Sequence, residues 1–404
     1  MISGIEILAA LTTGLAGLGL AESTLHKRRL GKIPIRIHVS GTRGKSSLTR
    51  LLAAGMNGAG IRTAAKTTGT LARMILPDSR EVPVFRPAGA NIIEQKRIVA
   101  VACDLNVEAL VIECMALNPK LHWISESQLV KATHGVITNA RADHLDVMGP
   151  TDRHVAQCLA GMIPIRGKLF TAESKHLEII EAACRDRGTT CAGVTGEDAA
   201  RITREELSNF KYLEHAENVA LALRVLEDLG IDRQTALEGM WRTRPDPGAL
   251  TEHELDFFGR RITFVNAFAA NDPESTKRIW DQSVSVHKDI PKTIALFNLR
   301  GDRPDRTRQM ALHSSFWYGA DHIVLMGSGA YTFSRLAAKR DFFDSGKLVF
   351  ADFERVDEIF ETIVGTCGDR ALVVGMGNIG GLGLSLTNYF KNRSILQDLQ
   401  KEPS

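Results

Sequence analysis

The stretch Ile33-Pro-Ile-Arg-Ile-His-Val39-Ser40-Gly-Thr-Arg-Gly-Lys-Ser-Ser47 decides the fold of this chain of 404 residues. Its first half, from Ile33 to Val39, is a short β-branched run that predicts a strand. A glycine-rich turn follows, and from Ser47 to Ala59 the apolar residues recur at helical spacing. A strand, a glycine turn and a helix in this order predict half of a βαβ unit and therefore a parallel sheet.

Two further apolar strands are predicted downstream, at 109–113 and 135–138, and polar residues follow each of them. In open parallel sheets, ligands bind beyond the carboxyl ends of the strands. We therefore expect Thr42–Ser46, Glu113 and the pair Asp143-His144 to converge on one crevice.

The second half of the chain repeats the alternation of strands and helices. Arg244-Pro-Asp-Pro-Gly248 is the best candidate linker, because it places two prolines and a glycine within five residues. The fold class predicted is α/β: a P-loop central domain with a parallel sheet, followed by a smaller, Rossmann-like C-terminal domain. The predicted segments are 1–30, 31–243 and 244–404, and strands of the last one are expected at 261–265, 293–297, 322–326, 347–350 and 371–374.

Composition excludes several classes of protein. Apolar residues make up 44% and charged residues 24%, which is a normal globular mixture. The formal net charge of +3 gives no reason to expect nucleic acid as a partner. The six cysteines include no CxxC pair, so we interpret them as buried small residues in a reducing compartment.

The N-terminal segment has two interpretations. Residues 2–21 are mostly apolar but include Glu6, and the basic run Lys27-Arg28-Arg29 follows. As a membrane anchor, the segment would place everything after it on the cytoplasmic face of the membrane, because positive charges favour that side. The alternative is a helix buried against the main body or a partner.

The glycine turn is the strongest chemical signal. Backbone N–H groups in such a turn cradle phosphates, and the helix that starts there adds its positive dipole end. Lys45 is expected to reach the β- and γ-phosphates, and Ser46 to hold Mg²⁺. The match to the Walker pattern is partial, since Val39 stands where its first glycine is expected. The predicted nucleotide-binding residues here are Gly41, Thr42, Arg43, Gly44, Lys45, Ser46 and Ser47.

Two more residues are predicted to bind metal. Glu113 ends an apolar strand, where a lone buried carboxylate is costly and a metal ligand makes sense. His144 follows another strand, and its neutral imidazole could take a second Mg²⁺. We predict Lys45, Glu113 and His144 as the catalytic set, and Ser46, Glu113 and His144 as the metal ligands.

These motifs resemble the Mur ligase superfamily, which includes the peptidoglycan amino-acid ligases and the folylpolyglutamate synthases. Its phosphate loop matches Gly41-Thr-Arg-Gly-Lys-Ser46, and its His-x-x-Asn motif matches His215-Ala-Glu-Asn218. Its C-terminal element resembles Asn266-Ala-Phe-Ala-Ala-Asn271-Asp272-Pro273. The resemblance implies an ATP-dependent ligase that forms an acyl phosphate, and a Mur-ligase-like central domain.

The chain is similar over nearly its whole length to one branch, the ligase subunits of poly-γ-glutamate synthases. The blocks that carry this similarity include Lys66-Thr-Thr-Gly-Thr70, Glu113-Cys-Met-Ala-Leu-Asn-Pro119 and Asp143-His-Leu-Asp-Val-Met-Gly-Pro150. The similarity implies ATP with Mg²⁺, or alternatively Mn²⁺, and polymerisation of glutamate through its γ-carboxylate. The implied partners are glutamate, the poly-γ-glutamate chain and small hydrophobic membrane subunits, and a homo-oligomer is left open.

The resemblance also assigns residues. It implies nucleotide contacts from Asn218 to adenine and from Arg300, Asp302 and Arg303, and substrate contacts from Thr67, Thr68, Asn271 and Asp272. Three features depart from the family pattern. Cys158 and Leu159 stand where a carbamylated lysine is expected, Asn266 and Ala270 replace Asp and His, and Ala249 replaces an Arg.

Two alternatives stay open on the sequence. One is another Mur-type ligase, such as a folylpolyglutamate synthase-like enzyme. The other is an ATP-binding assembly subunit that scaffolds membrane partners without chemistry of its own.

Overall fold

The fold is taken from a computed structural model. It describes residues 3–69, 72–86, 89–210, 212, 214–245, 250–270, 273–313, 315–340 and 344–401. The chain divides into two compact units, Met1–Arg244 and Pro245–Ser404. Residues 246–249, which include the last three residues of the predicted linker, lie outside the described residues.

The first unit combines one sheet with helices. Its helices are α1 (Gly4–Gly31), α2 (Lys45–Gly58), α3 (Glu94–Asp104), α4 (Pro119–Ile124), α5 (Leu145–Met148), α6 (Asp152–Ala160), α7 (Leu177–Asp186), α8 (Gly196–Ala200), α9 (Arg204–Ser208), α10 (Ala216–Asp228) and α11 (Arg233–Trp241), with a π-helical turn at Ser125–Val130 after α4. Its strands are β1 (Ile35–Ser40), β2 (Thr63–Lys66), β3 (Arg73–Ile75), β4 (Glu81–Pro83), β5 (Ala109–Glu113), β6 (His134–Ile137), β7 (Lys168–Thr171) and β8 (Thr190–Gly193).

The three strands predicted from the sequence form the middle of this sheet. In the described part of the chain the sheet order is β4-β3-β2-β5-β1-β6-β7-β8. Strand β1 pairs in parallel with β5 on one side and β6 on the other, with Val39 opposite Glu113 and Ser40 opposite Ile137. The carboxyl ends of β5, β1 and β6 therefore lie side by side, as the sequence predicts. The hairpin β3–β4 adds two antiparallel strands that the sequence analysis missed.

Helix α2 connects the glycine turn to the core. It begins at Lys45, two residues before the predicted start, and its apolar residues Leu48, Leu51, Leu52 and Met56 are fully buried. It packs against α11 so closely that a Cβ on Gly58 would lie 2.7 Å from the Cα of Gly239. This packing holds the helix, and with it the turn at its N-terminus, rigidly on the sheet.

Helix α1 is exposed over most of its length. Only its last turns contact the unit, where His26 and Leu30 are buried and His26 Nε2 lies 2.8 Å from the carbonyl oxygen of Leu129. Within the described residues, α1 is the one helix that is long and apolar enough to cross a membrane, and none of its apolar window is buried.

The second unit is also an α/β structure. Its elements in chain order are β9 (Thr251–Phe257), β10 (Arg260–Asn266), α12 (Pro273–Val286), β11 (Thr293–Asn298), α13 (Pro304–His313), β12 (His322–Met326), α14 (Ala330–Ala337), β13 (Leu348–Ala351), α15 (Val356–Cys367), β14 (Arg370–Met376) and α16 (Leu382–Lys401), with 3-10 turns at Phe316–Gly319 and Ser345–Lys347.

Its sheet order, among the described residues, is β13-β12-β11-β14-β10-β9. The five strands predicted from the sequence are all present and pair in parallel with one another. Strand β9 was missed, and it pairs antiparallel with β10 at the edge. Its charged residues alternate with partly buried ones because only one face of an edge strand packs on the core.

A buried polar network lies beneath β1 and β5. The imidazole of His38, fully buried, lies 2.7 Å through Nδ1 from Oε2 of Glu126, whose other oxygen accepts a hydrogen bond from the backbone N–H of Ala132. Burial disfavours the charged imidazole. The Cys114 sulfur and the Glu126 carboxylate favour the charged form more strongly than burial disfavours it, and they raise the pKa of His38 to about 9. The network is therefore an ion pair at neutral pH.

This pair predicts a pH dependence of stability. Because the pKa of His38 rises from 6.5 to about 9 on folding, its contribution is complete below pH 6.5 and is lost as the pH rises through about 9. We expect the contribution of His38 to the free energy of unfolding to fall by roughly 3 kcal/mol across this window, while the lowered pKa of the neighbouring Cys114 thiol acts in the opposite direction. Urea unfolding between pH 6 and pH 9.5 measures it. The variant His38→Gln should flatten the profile, and the exposed-site control His154→Gln should not; equal slopes in all three proteins would contradict the assignment.

Candidate functional site

The glycine turn runs from Gly41 to Gly44, at the carboxyl end of β1. Gly41 has φ of 128°, and a Cβ there would come within 1.9 Å of Thr138 Oγ1. The chain after β6 clamps the turn from this side. Thr138 Oγ1 donates to the carbonyl of Arg43 at 2.6 Å, and the Asn139 amide oxygen accepts from Thr42 Oγ1 at 2.7 Å and from the Arg43 N–H at 3.1 Å. The shape of the turn thus depends on a neighbouring strand.

Gly44 packs against the helix that carries the predicted adenine contact. Its φ is 83°, and a Cβ on it would lie 2.6 Å from Oδ1 of Asn218. Asn218 lies in the first turn of α10 and is almost fully buried. The structure therefore brings Asn218 against the phosphate loop, although the two are 174 positions apart in the numbering of the chain.

Replacement of Gly44 by alanine is expected to weaken nucleotide binding. A left-handed backbone costs a residue with a Cβ about 1–2 kcal/mol, and at this position the Cβ also displaces Asn218. We expect at least a ~10-fold loss of affinity for an ATP analogue, measured by titration calorimetry. Gly60→Ala is the matched control, because Gly60 has φ of 82° and no neighbour within 4 Å of an added Cβ. If both variants bind equally well, the contact between residues 44 and 218 has no part in binding.

Lys45 folds back over the turn. Its Nζ donates to the carbonyl of Gly41 at 2.7 Å and to that of Thr42 at 3.3 Å. Burial lowers the pKa of Lys45, and the nearby carboxylate of Glu113 opposes that shift. The ammonium is thus held within the loop, close to the end of β5.

Glu113 lies at the centre of a hydrogen-bond cluster. Its carboxylate is buried and accepts from Ser46 Oγ at 2.9 Å, from the Thr68 N–H at 2.7 Å and from Thr68 Oγ1 at 2.5 Å. The structure therefore brings together Ser46 and Glu113, two of the three predicted metal ligands. Thr68, predicted to contact substrate, holds Glu113 in place through both of its donors.

Thr67 and Lys66 continue β2 beside this cluster. The Thr67 N–H donates to the carbonyl of Arg73, and its hydroxyl accepts from the Arg73 N–H at 3.2 Å, so its predicted contact with substrate stays a prediction. The Nζ of Lys66 lies 2.6 Å from Glu94, whose carboxylate also accepts two bonds from Arg86. Burial lowers the pKa of Lys66, and Glu94 opposes this shift. The sequence analysis missed Glu94, because nothing near it in the chain marks it.

His144 lies at the end of the segment after β6. Its backbone is left-handed with φ of 47°, and its Nε2 lies 4.0 Å from Oδ1 of Asp143. The other carboxylate oxygen of Asp143 pairs with Arg43 at 2.8 Å. Arg43 and Asp143 therefore join the phosphate loop to the segment that carries His144, and the metal-binding role of His144 stays a prediction.

Glu214 organises the other side of the loop and was missed. One carboxylate oxygen accepts from Ser47 Oγ and from Tyr212 at 3.0 Å, and the other accepts from the side-chain amide of Asn218 at 2.9 Å. Burial, followed by the charge of Glu214, raises the pKa of Tyr212. Glu214 immediately precedes the His-x-x-Asn motif, and that position is the one sequence signal that could have identified it.

The position expected for a carbamylated lysine is apolar. Cys158 and Leu159, on α6, are buried in a cluster that includes Ile137 and Met162. No group of three or more His, Cys, Asp or Glu that could hold a metal is found among the residues that the structure describes. The departure noted in the sequence thus corresponds to a packed core position.

The predicted nucleotide contacts of the second unit, Arg300, Asp302 and Arg303, lie just after the carboxyl end of β11. Arg300 forms a two-bond ion pair with Asp302, at 2.8 Å and 2.6 Å. The Asn298 amide donates to the carbonyls of Asn378 and Gly380, which closes the loop after β14. Arg303 begins the turn into α13, where its N–H donates to the carbonyl of Arg300. Asn271 and Asp272 lie outside the described residues, so their role stays a prediction.

Comparison with known proteins shows the family. Residues 39–161 match the Mur ligase middle domain, and residues 252–393 match the poly-gamma-glutamate synthase CapB C-terminal domain. The capsule biosynthesis protein CapB of Bacillus anthracis is 36% identical over 98% of this chain and 84% of its own length. The PGA synthase CapB of Bacillus subtilis (strain 168) is 36% identical over 94% of this chain and 96% of its own. The chain belongs to the CapB family.

Solved structures show the same fold at lower identity. Escherichia coli FolC matches with a TM-score of 0.66 and 16% identity, over 95% of this chain and 98% of that one. The folylpolyglutamate synthase of Thermotoga maritima matches with a TM-score of 0.63 and 15% identity, over 92% and 93% of the two chains. The Mur-ligase-like α/β fold predicted from the sequence is confirmed.

Proposed function

We propose that this CapB-family chain is an ATP-dependent ligase that joins glutamate units through the γ-carboxylate. The observation that carries the proposal is one cluster in the first unit. A lysine-bearing glycine turn at the end of β1 lies against a buried glutamate at the end of β5, and the serine after the lysine donates to that glutamate. The two CapB relatives, named for capsule biosynthesis and for PGA synthesis, support the choice of substrate.

The residues of the turn fit a nucleoside triphosphate. The glycines at 41 and 44 leave no room for a Cβ, so the backbone can approach phosphate oxygens closely. The N-terminus of α2 points its free N–H groups at the same place, and Lys45 supplies a positive charge. Solved structures of the same fold carry ADP, or Mn with AMPPNP and L-glutamate.

The residues also fit a divalent cation. The Ser46 hydroxyl and the Glu113 carboxylate present oxygen ligands side by side, and Mg²⁺ takes one or two protein oxygens, the phosphates and water. Bound there, Mg²⁺, or Mn²⁺ in its place, would neutralise the phosphate charge that develops during transfer. Thr68 keeps the Glu113 oxygens oriented toward Ser46.

The proposed reaction has two steps. A γ-carboxylate oxygen attacks the γ-phosphorus of ATP, the bond to the β–γ bridging oxygen breaks, and an acyl phosphate and ADP form. The amine of the next glutamate then attacks the acyl carbon, phosphate leaves, and the amine loses a proton to solvent. Positioning and charge neutralisation by Lys45 contribute most to the first step, because phosphoryl transfer needs little covalent help from the protein.

Release of ADP tests this proposal. The full-length chain in native membranes is supplied with ATP, Mg²⁺ and one amino acid at a time, and ADP and amide product are measured. Glutamate, in one or both enantiomers, should stimulate ADP formation and yield γ-linked product. Stimulation by a folate instead of glutamate would favour the folylpolyglutamate synthase-like alternative. ATP binding without any ADP release would favour the assembly-subunit alternative.

We further propose that residues 1–30 attach the chain to the cytoplasmic face of the membrane, that 31–243 bind ATP and that 244–404 complete the ligase. The apolar window of α1 is exposed on all sides, and Arg28 and Arg29 place positive charge in its last turn. A helix of this kind is favoured in a bilayer or against small hydrophobic membrane subunits. Extraction by carbonate tests the attachment: a chain without residues 3–21 should leave the membrane fraction, and the full chain should not.

A further inference from the structure

A cavity of about 300 Å³ opens in the first unit, along a different face of α2 from the phosphate loop. Its walls are one side of α2, the turn between β3 and β4, and the end of α11. This volume is at the lower end of the range of about 300–1,000 Å³ that is usual for ligand pockets. None of the predicted nucleotide or metal residues lines it. The residues on which the argument rests are Arg50, Asp78, Glu81, Arg242, Thr243 and Arg244.

The charges inside the cavity do not balance. Arg50, almost fully buried, is neutralised by Glu81 through two hydrogen bonds of 2.5 Å and 3.0 Å. Asp78 is neutralised by Arg80 at 2.7 Å. Arg242 and Arg244 are exposed, and neither side chain forms an ion pair with another residue that the structure describes. Among the described residues that line the cavity, three arginines face two carboxylates, which leaves one net positive charge, and neither Arg242 nor Arg244 is paired with one of those carboxylates.

A hydroxyl in the wall lacks a partner. Thr243 is 7% exposed, and its Oγ1 is buried without a hydrogen-bond partner among the described residues. A buried hydroxyl that makes no hydrogen bond costs free energy, so it is a place where a ligand acceptor is favoured. It lies between the two arginines in the chain, so three consecutive residues present two guanidinium groups and one O–H donor to the same cavity.

We propose that this cavity holds a segment of the poly-γ-glutamate chain, which the ligase extends at the phosphate loop. The inference rests on the proposed function. Each γ-linked unit keeps a free α-carboxylate, so the chain offers carboxylates at regular intervals. Guanidinium groups bind carboxylates through paired hydrogen bonds, and the Thr243 hydroxyl can donate a third.

The cavity lies close to the phosphate loop along α2, so a chain bound in it would remain near the site of ligation. Arg50 follows Lys45 by five residues, which is about 8 Å along the helix axis. A chain held there stays attached between successive additions, and the next carboxylate does not have to be recaptured from solution. The effective concentration of the chain end is then set by the length of the intervening segment.

Binding of labelled oligo-γ-glutamate tests the proposal without ATP. The full-length chain in detergent is titrated against a fluorescent octamer of γ-linked glutamate, with anisotropy as the signal. The double variant R242Q/R244Q is expected to bind at least tenfold more weakly, and Thr243→Val a few-fold more weakly. The double variant R201Q/R224Q is the control with the same change of charge. It removes two exposed arginines, one directly after α8 and one in α10, and should bind like the wild type.

Further measurements distinguish octamer binding in the cavity from binding elsewhere on the protein. Lys45→Ala should bind the octamer like the wild type, so a failure of ATP chemistry does not affect this result. Free glutamate at the same carboxylate concentration should not compete, and the products of R242Q/R244Q should be shorter than those of the wild type. Three results would each overturn the proposal. The first is equal affinity for the octamer in R242Q/R244Q and the wild type, the second is loss of octamer binding in Lys45→Ala, and the third is full competition by free glutamate.

Discussion

Replacement of Lys45 by alanine is expected to lower glutamate-dependent ADP release by about 10²–10³-fold, the range seen when one preorganised charge is removed from a transition state. The ammonium is held inside the glycine turn by two carbonyls, at the carboxyl end of β1. Lys66 also lies near Glu113, but its Nζ is paired with Glu94 at 2.6 Å. The measurement is the initial rate of ADP formation in membranes, with the affinity for an ATP analogue determined in parallel.

The controls separate chemistry from folding. Lys45 is the first residue of α2, where alanine is a good helix former, so the melting temperature should change little. Lys168→Ala removes an exposed lysine that pairs with Asp228 on the same unit and should release ADP at the wild-type rate. If Lys45→Ala keeps more than about a tenth of the wild-type rate while folded, electrostatic stabilisation by this lysine is too small for the mechanism.

Replacement of Glu113 by glutamine should have the second largest effect. The change keeps the size of the side chain and an acceptor for the Thr68 N–H, but removes the charge that would bind a divalent cation. We expect Mn²⁺ binding in the presence of an ATP analogue to weaken by ~100-fold, and ADP release to fall at least as far, because a metal ligand is lost. Electron paramagnetic resonance of Mn²⁺ measures the first quantity directly.

Stability should respond much less than metal binding. Glu113 accepts hydrogen bonds from neutral donors and lies near the Lys45 ammonium. Loss of its charge relieves the desolvation of the carboxylate but removes its attraction to Lys45, so a shift within about 2 kcal/mol is expected. Glu108→Gln is the control on the same segment, because its exposed carboxylate accepts only from the backbone N–H of Arg62 in the described structure. Unchanged Mn²⁺ affinity in Glu113→Gln would remove this residue from the metal site.

The sequence predicted the central strands and the loop for a physical reason. Parallel strands buried on both faces are continuous apolar runs, and a glycine turn between such a strand and a helix is a local feature. The strands β2, β3, β4, β7, β8 and β9 were missed. All but β9 have only three or four residues, and β9 is half exposed, so their apolar pattern is weak. The cysteines follow the prediction in part: Cys191 is exposed, since β8 lies at the edge of its sheet.

The contacts within the candidate site were harder to predict from the sequence than the strands and the glycine turn. Glu214 and Thr138 meet the loop from elements far along the chain, and Glu94 meets Lys66 in the same way. Thr68 was predicted to contact substrate, and the structure shows it donating twice to Glu113. Such pairings depend on strand order, which no local pattern encodes.

The sequence by itself determined the elements that short-range chemistry specifies: the strand–turn–helix around Lys45, the apolar strands that end at Glu113 and before Thr138, and the apolar N-terminal helix. Only the tertiary structure decided which of their side chains meet. The order β5-β1-β6 places three carboxyl ends side by side and sets Ser46 on Glu113. The packing of α2 against α11 creates the cavity beside Thr243. Both results follow from long-range burial of apolar faces, which fixes neighbours that are distant in the chain.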